Sequence, residues 1–258
     1  TSVEQLQAAG RLRVRSWLTP ARGIVPGQQV KLSLEIATDR WFSAGTRILI
    51  PEVSGLVILQ TDNFASNSTE RRDGRSWVVQ RWTLEIYPQR AGNFKLPAIG
   101  AQITINSENG SAIGGKISSP ELQLTAVRPE GLARAKHWVA APQYSVSQTF
   151  DRVLTGLTVG DAIEREIIFS ASEVMAMMLP VFEEDQLVGL RAYPKPPAVE
   201  NSSNRGVTKA VRRESITYIV EAQGQYQLPA QDFFWWDTRS GELQLLSLPA
   251  VEIQAGAS

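Results

Sequence analysis

The 258-residue chain contains no cysteine and a single histidine, His137. The lack of cysteine excludes disulfides, thiolate metal ligands and a cysteine nucleophile. One histidine without cysteine does not supply the ligands of a zinc site. A Ser-His-Asp site would have to use His137, but the sequence has no Gly-x-Ser-x-Gly nucleophile elbow to partner it. We therefore expect no catalytic residue, no metal site and no cofactor.

The chain has no excess of charge and no long apolar run. Its 26 Lys and Arg residues are matched by 26 Asp and Glu residues, so the formal net charge is zero. A nucleic-acid protein would show a basic excess or a basic stripe, so we expect no nucleic-acid partner. Because no apolar run approaches the ~20 residues of a membrane span, we expect a soluble piece of a protein whose targeting or anchoring segments are not in this chain.

Apolar and polar residues alternate with a period of two in several stretches. Residues 30–36 and 82–86 show the pattern most clearly, and residues 243–248 follow it less strictly. Turn pairs such as Asp73-Gly74 and Asn109-Gly110 separate these stretches. Alternation of this kind is typical of half-buried antiparallel strands, and regular turns between short strands favour sandwiches or barrels. The sequence therefore predicts an all-β protein.

An internal repeat divides the chain into two parts. The segment AGNFKLPA at residues 91–98 reappears as QGQYQLPA at residues 223–230, and the strand at 81–86 matches that at 213–218 with the same spacing. We expect Gly92 and Gly224 to form tight turns, with the aromatic and leucine residues after them pointing into a core. The repeat predicts two tandem immunoglobulin-like β-sandwich domains, residues 1–128 and 139–258, joined by a linker at 129–138.

Several motifs together resemble one protein family. The first domain has LEIYPQRAGNFKLPA at 84–98, and the entry to the second has WVAA at 138–141. The second domain contains GDAIER at 160–165, GLRAYP at 189–194, RESITY at 213–218, GQYQLPA at 224–230 and FWWDT at 234–238. In combination these motifs resemble the BatD family, the aerotolerance or oxygen-tolerance proteins of bacteria. Residues 1–24 depart from the family pattern.

The resemblance implies a setting and a class of partner. It implies a periplasmic protein held at the inner membrane by a C-terminal transmembrane helix that is not in this chain. It implies partners encoded nearby, namely a MoxR-type ATPase and von Willebrand factor A-domain membrane proteins, and a part in oxygen or envelope stress tolerance. It carries over no catalytic residue, so we expect a non-enzymatic scaffold or protein-interaction module.

Four large aromatic residues in succession, at 233–236, form the candidate site. In a strand, Phe233 and Trp235 face one way, while Phe234 and Trp236 face the other. Since a core takes up only one pair, the other must lie against a loop, the neighbouring domain, a partner or solvent. The candidate interaction residues are Trp235, Trp236, Phe234 and, in the first domain, Trp41.

Two other functions remain open. A carbohydrate- or polymer-binding module would use exposed tryptophans as stacking platforms, with two or more of them coplanar on one face. An enzyme would need carboxylates in a cleft between the domains and a polar pocket with perturbed carboxyl groups. The acidic run at 183–185 lacks the spacing of a calcium loop, so we expect it to be a solvated hairpin tip.

Overall fold

A computed structural model describes residues 2–184 and 186–257. These residues form two compact units, 1–128 and 129–258, which we call the first and the second module. Both are built almost wholly of antiparallel strands, so the predicted fold class, tandem all-β immunoglobulin-like sandwiches, is confirmed. None of the helices that the structure describes has the length and apolar character needed to cross a membrane.

The first module starts with one short helix and continues with ten strands. Its elements are α1 (Val3–Ala8), β1 (Leu12–Thr19), β2 (Val30–Thr38), β3 (Arg47–Ile48), β4 (Leu56–Leu59), β5 (Ser66–Arg72), β6 (Arg75–Pro88), β7 (Gly92–Leu96), β8 (Gly100–Asn106), β9 (Ala112–Ser118) and β10 (Leu122–Ala126). A five-stranded sheet has the order β1-β2-β6-β4, with β5 also paired to β6. The strands β3-β8-β9 and β7-β10 form the other layer.

The alternation seen in the sequence builds the core of this module. Leu32, Leu34 and Ile86 point inward from the large sheet and meet Leu96 and Leu124 from the other layer, all of them buried. Burying such side chains contributes about 1.5–3 kcal/mol each, which favours the sandwich over the extended chain. The helix α1 begins with a capping box made by Ser2 and Gln5.

The second module has two short 3-10 helices and eleven strands. Its strands are β11 (Val139–Ala141), β12 (Tyr144–Phe150), β13 (Leu157–Thr158), β14 (Ala162–Ser172), β15 (Leu190–Pro194), β16 (Ala198–Asn204), β17 (Val207–Val220), β18 (Gly224–Leu228), β19 (Gln231–Asp237), β20 (Glu242–Leu248) and β21 (Val251–Gly256). A five-stranded sheet has the order β12-β14-β17-β15, with β16 also paired to β17. The strands β11-β19-β20 and β13-β21-β18 form the other layer.

The two modules share one topology. The order β1-β2-β6-β4 corresponds to β12-β14-β17-β15, and β7-β10 corresponds to β18-β21. The long strands β6 and β17, 14 residues each, both pair along one edge with two successive strands. Position by position, the register of β1, β2 and β6 therefore corresponds to that of β12, β14 and β17.

A glycine packed under an aromatic ring occurs in each module. Phe94 is buried, and Gly55 lies against its ring, because a Cβ on Gly55 would stand 2.8 Å from the Phe94 Cε1 atom. In the second module Gly189 lies against Tyr226 in the same way, and the Tyr226 hydroxyl donates a hydrogen bond to the Ala222 carbonyl. A tyrosine hydroxyl bonded to backbone a few residues upstream is a feature of immunoglobulin-like corners.

Residues 129–138, predicted to be a linker, lie within the second module. A 3-10 helix spans Glu130–Leu132, and Leu132 and Ala135 are buried. A Cβ on Gly131 would stand 3.4 Å from the Leu243 Cδ2 atom, so this turn packs against β20. The buried side chains of Leu132 and Ala135 hold this segment against the second module, which the composition of the segment did not indicate.

Candidate functional site

The aromatic residues of β19 separate onto two faces of their sheet, as the alternation predicts. Phe233 packs against the core and meets the Phe169 ring edge to face, with 5.2 Å between ring centroids. Trp235 also belongs to that core and is 9% exposed. Phe234 and Trp236 point the other way and are half-buried. The core thus takes up one aromatic pair and leaves the other outside it.

Trp235, predicted as an interaction residue, is a buried structural residue. Its indole Nε1 donates a hydrogen bond of 2.9 Å to the Ala141 carbonyl, which ties β19 to the parallel strand β11. A buried indole usually finds such a partner. Alternation shows that two faces exist but not which of them meets the core, so the sequence alone could not place this ring inside.

Replacing Trp235 by phenylalanine should lower the free energy of unfolding of the second module by about 2–3 kcal/mol, from the lost hydrogen bond and the cavity left by the smaller ring. The matched control is Trp236→Phe on the same strand, whose ring lies outside the core and should cost less than about 1 kcal/mol. Urea denaturation of both variants measures the difference. Equal losses would contradict the assignment of the two faces.

The outer face of β19 and β20 presents an apolar surface. In the register of these strands Phe234 lies opposite Leu245, and Trp236 lies opposite Leu243. Leu245 is 49% exposed, and the turn at Gly131 packs on Leu243. We call these four residues, Phe234, Trp236, Leu243 and Leu245, the outer strip. The second module's main core cluster includes none of the four.

Trp41 lies in the first module and is 57% exposed. Its backbone carbonyl accepts a hydrogen bond from the Asn106 amide, while its neighbour Phe42 forms an isolated bridge with Ile105 and packs against the core. The pair Trp41-Phe42 therefore divides as β19 does, with one ring packed and one ring in solvent.

All seven tryptophans of the chain lie among the described residues, and their burial bears on carbohydrate binding. Trp41 is exposed, Trp17, Trp138 and Trp236 are half-buried, and Trp77, Trp82 and Trp235 are buried. A stacking platform needs at least two exposed rings on one face. Three of the seven tryptophans are buried, which counts against a platform of several tryptophans on one face.

A buried polar group that the sequence did not reveal lies inside the second module. Arg165 is on the core-facing side of β14, between Ile163 and Ile167, and is only 2% exposed. Its guanidinium donates to the Gln148 side-chain oxygen at 2.7 and 3.0 Å and to the Tyr218 hydroxyl at 3.2 Å. The signal in the sequence was an arginine in the inward phase of an alternating strand, which is rare unless the charge is paired.

Two carboxylates complete this group: Glu184, in the segment before β15, and Glu214, on β17. The Phe182 ring lies 4.9 Å from the Arg165 guanidinium carbon, and the Phe182 amide donates to the Glu214 carboxylate. Burial, with the negative charge of Glu214, raises the pKa of Glu184, although Arg165 works against the shift. Glu184 is half-buried and Glu183 is exposed, so the acidic run is solvated only in part; its Asp185 lies outside the described residues.

Two further titratable groups lie in the second module. Partial burial lowers the pKa of His137, against a hydrogen bond to the Met178 backbone. Burial raises the pKa of Tyr144, whose hydroxyl has no hydrogen-bond partner among the described residues. Tyr144 and Trp235 line an open groove of about 410 Å³ together with three serines. At neutral pH the Tyr144 hydroxyl stays protonated and remains a hydrogen-bond donor.

No family model and no curated protein matches this chain. Among solved structures, it is similar to the C-terminal domain of the Streptococcus agalactiae AgI/II polypeptide BspA, with 7% identity, coverage of 94% of this chain and 100% of that chain, and a TM-score of 0.22. It is also similar to the N-terminal periplasmic domain of ScsB from Proteus mirabilis, with 14% identity, coverage of 95% and 92%, and a TM-score of 0.22. Scores this low carry no argument about fold or function.

The outer strip combines two rings with two leucines on an antiparallel hairpin. Leucines and aromatic rings are among the side chains that recur in the buried centre of protein-protein interfaces. The Arg165 group has its donors and acceptors turned toward one another inside the module. Its chemistry is that of an internal hydrogen-bond network around a buried guanidinium, so we assign it to stability.

Proposed function

We propose that this chain is a non-enzymatic protein-interaction module of a bacterial envelope protein. The observation that carries the proposal is the outer strip, a row of apolar side chains on the outer face of a sheet whose inner side already forms a core; three of them are half-buried and Leu245 is 49% exposed. An outer sheet face ordinarily takes polar residues. Aromatic and leucine side chains there expose apolar area to water, and contiguous patches of this kind often mark protein-protein contacts.

A finer proposal concerns the family and the partners. We propose that the protein is BatD-like and acts at the periplasmic face of the inner membrane, together with a MoxR-type ATPase and von Willebrand factor A-domain proteins, in oxygen or envelope stress tolerance. This part rests on the resemblance of the sequence motifs. The outer strip supports a protein partner of either kind, since rings and leucines recognise apolar surface rather than one fold.

Replacing Leu245 by glutamate should release the partner without unfolding the module. A carboxylate in the strip would have to be desolvated on binding, which costs several kcal/mol and should lower the yield of co-purified partner at least tenfold. The measurement is chemical crosslinking of the full-length protein in cells, followed by mass spectrometry of the captured proteins.

The matched control is Val199→Glu on β16. Val199 is an apolar residue of the same module with similar exposure, 56% against 49%, but it lies on a different sheet. We expect this variant to retain the partner and both variants to keep their melting temperature. Unchanged capture by the Leu245 variant would remove the outer strip as the site. Capture of von Willebrand A-domain proteins or of a MoxR-type ATPase would support the finer proposal, and capture of neither would reject it.

A further inference from the structure

The outer face of the large sheet in the first module holds a set of fixed arginines. In the register of β1, β2 and β6, Arg15 lies opposite Glu35, which lies opposite Arg81. Arg15 donates to one oxygen of Glu35 at 2.7 Å, and Arg81 donates to the other at 2.8 Å. Glu35 is 3% exposed, whereas about half of each arginine side chain remains open to solvent.

Two indole rings hold these arginines further. The guanidinium carbons of Arg15 and Arg81 lie 5.3 and 5.4 Å from the centroid of the Trp17 ring. Two residues before Arg15 on β1 lies Arg13. Its guanidinium carbon is 4.3 Å from the centroid of the buried Trp77 ring. Cation-π contacts of this kind fix a guanidinium without neutralising its charge. We call Arg13, Arg15, Trp17 and Arg81 the arginine face.

The charge balance of the arginine face is positive. Glu35 offsets one of its three arginines, and no described carboxylate lies within ion-pair distance of Arg13. Burial alone would raise the pKa of Glu35, but the hydrogen bonds from Arg81 and Arg15 hold it below its ordinary value, so the carboxylate stays charged at neutral pH.

The surrounding charges do not cancel this excess. Asp39 lies next to the arginine face and pairs with Arg11 and Arg75. Glu108 reaches Arg11 from the turn between β8 and β9 and also pairs with Arg40. These two carboxylates thus share three arginines, Arg11, Arg40 and Arg75, which leaves one positive charge in excess beside the arginine face.

The second module provides an internal control, because its strands have the same topology and register. At the positions that correspond to Arg13, Arg15 and Trp17, strand β12 carries Ser145, Ser147 and Thr149. The row Arg15, Glu35 and Arg81 corresponds to the row Ser147, Ile168 and Arg213. The second module therefore builds this face without counterparts of Arg13, Arg15, Trp17 and Glu35 and keeps an arginine only at the position of Arg81.

We propose that the arginine face binds an acidic segment of a partner protein. Arg13 and Arg15 are alternate residues of one strand, so their Cα atoms stand about 7 Å apart along it. An extended peptide presents alternate side chains at the same repeat, so successive carboxylates meet successive arginines. Planar guanidinium groups bind carboxylates in a bidentate way, and side chains that are already fixed lose less entropy when they bind.

This surface is separate from the outer strip, and the proposal does not depend on it. The probe is a fluorescein-labelled hexaglutamate peptide, and the measurement is fluorescence anisotropy with the whole chain at low salt and at 150 mM salt. We expect binding at low salt that weakens as the salt screens the charges, since the Debye length is about 8 Å at 150 mM.

The variant R13S/R15S/W17T/E35I gives the first module the residues of the second at the same positions. It removes two positive charges and one negative charge, a net change of one. We expect its dissociation constant for hexaglutamate to rise at least tenfold. The control R191S makes the same net change on the second module and should bind as the original chain does. If this variant with four substitutions does not fold, the double variant R13S/W17T replaces it. R13S/W17T leaves the ion pairs of Glu35 in place and should weaken binding at least threefold.

Each remaining outcome decides against the proposal. No binding of the peptide at low salt, or binding that R191S weakens as much as R13S/R15S/W17T/E35I does, would overturn it. Vesicles of phosphatidylglycerol and phosphatidylcholine test the other anionic surface. Binding to these vesicles through the same arginines, without binding to the peptide, would assign the face to lipid headgroups instead.

Discussion

Replacing Arg165 by alanine should lower the free energy of unfolding of the second module by about 3–5 kcal/mol, the range found when one member of a buried charged group is removed. Arg165 is 2% exposed and is one of the largest fully buried side chains in the described part of the chain. Its loss leaves the Gln148 oxygen and the Tyr218 hydroxyl without their donor and removes the positive charge facing Glu184.

The pH dependence of this variant follows from the two carboxylates. In the folded chain the pKa of Glu184 is raised, so the folded state binds a proton more readily than the unfolded state does. Stability linked to this group therefore grows as the pH falls toward the ordinary value for glutamate. Without Arg165 the repulsion between Glu184 and Glu214 is opposed only by Arg212, which pairs with Glu214 at 2.8 Å, so Arg165→Ala should lose less stability at pH 5 than at pH 7.

Chemical denaturation at the two pH values measures both effects. Arg191→Ala is the matched control, because Arg191 is largely exposed and its ion pair with Glu221 is long, 3.8 Å. That surface pair should contribute less than about 1 kcal/mol. Arg165→Met, which keeps the packing of the aliphatic stem, should fall between the two. A loss below about 1 kcal/mol for Arg165→Ala would mean that the buried guanidinium does not stabilise the second module.

The fold was predictable from sequence because its signals are local. Alternation gives strands, paired turn residues give hairpins, and the repeat of the Gly-aromatic-Leu-Pro-Ala segment gives two copies of one topology. Even the corner motif could be placed, since Gly224 and Tyr226 are two residues apart at the start of β18, where Gly224 has a φ of +154°.

The candidate site was only half predictable, because burial is decided by contacts between distant strands. Alternation separates Trp235 from Trp236, but the layer that meets β19 determines which ring is covered. Arg165 shows the converse case, a charged residue that lies inside the core. Its sequence neighbours Glu164 and Glu166 are typical of a solvated face and gave no sign of this. Its partners come from β12, β17 and the segment before β15, and no local pattern brings these together.

The arginine face shows where a comparison between the copies adds to either one alone. In the sequence, the alternating residues Arg13, Arg15 and Trp17 look like the outer face of any amphipathic strand. Only the register shows that Glu35 and Arg81 lie in the same row, and only the second module shows what the same row contains when it is simply solvated. A divergent repeat thus separates residues that the fold needs from residues that one copy has acquired.

Replacing Gly189 by alanine should lower the free energy of unfolding by roughly 3–4 kcal/mol, from about 1–2 kcal/mol of left-handed backbone strain and about 1–3 kcal/mol of overpacking. Gly189 has a φ of +90°, and a Cβ there would lie 2.4 Å from the Tyr226 hydroxyl oxygen. The tyrosine cannot move away freely, because that hydroxyl is bonded to the Ala222 carbonyl, and the Glu221 amide donates to the Gly189 carbonyl.

Gly160→Ala separates the two contributions. Gly160 has a similar φ of +96°, but a Cβ there would meet nothing within 4 Å, so its alanine variant should show the backbone strain alone. The double variant G189A/Y226F should recover part of the loss, since it removes the shortest contact and leaves ring carbons at 3.2 Å. Urea denaturation midpoints give the comparison. If Gly189→Ala cost no more than Gly160→Ala, the ring would have room to shift, and the glycine would be required by its turn rather than by the tyrosine packed against it.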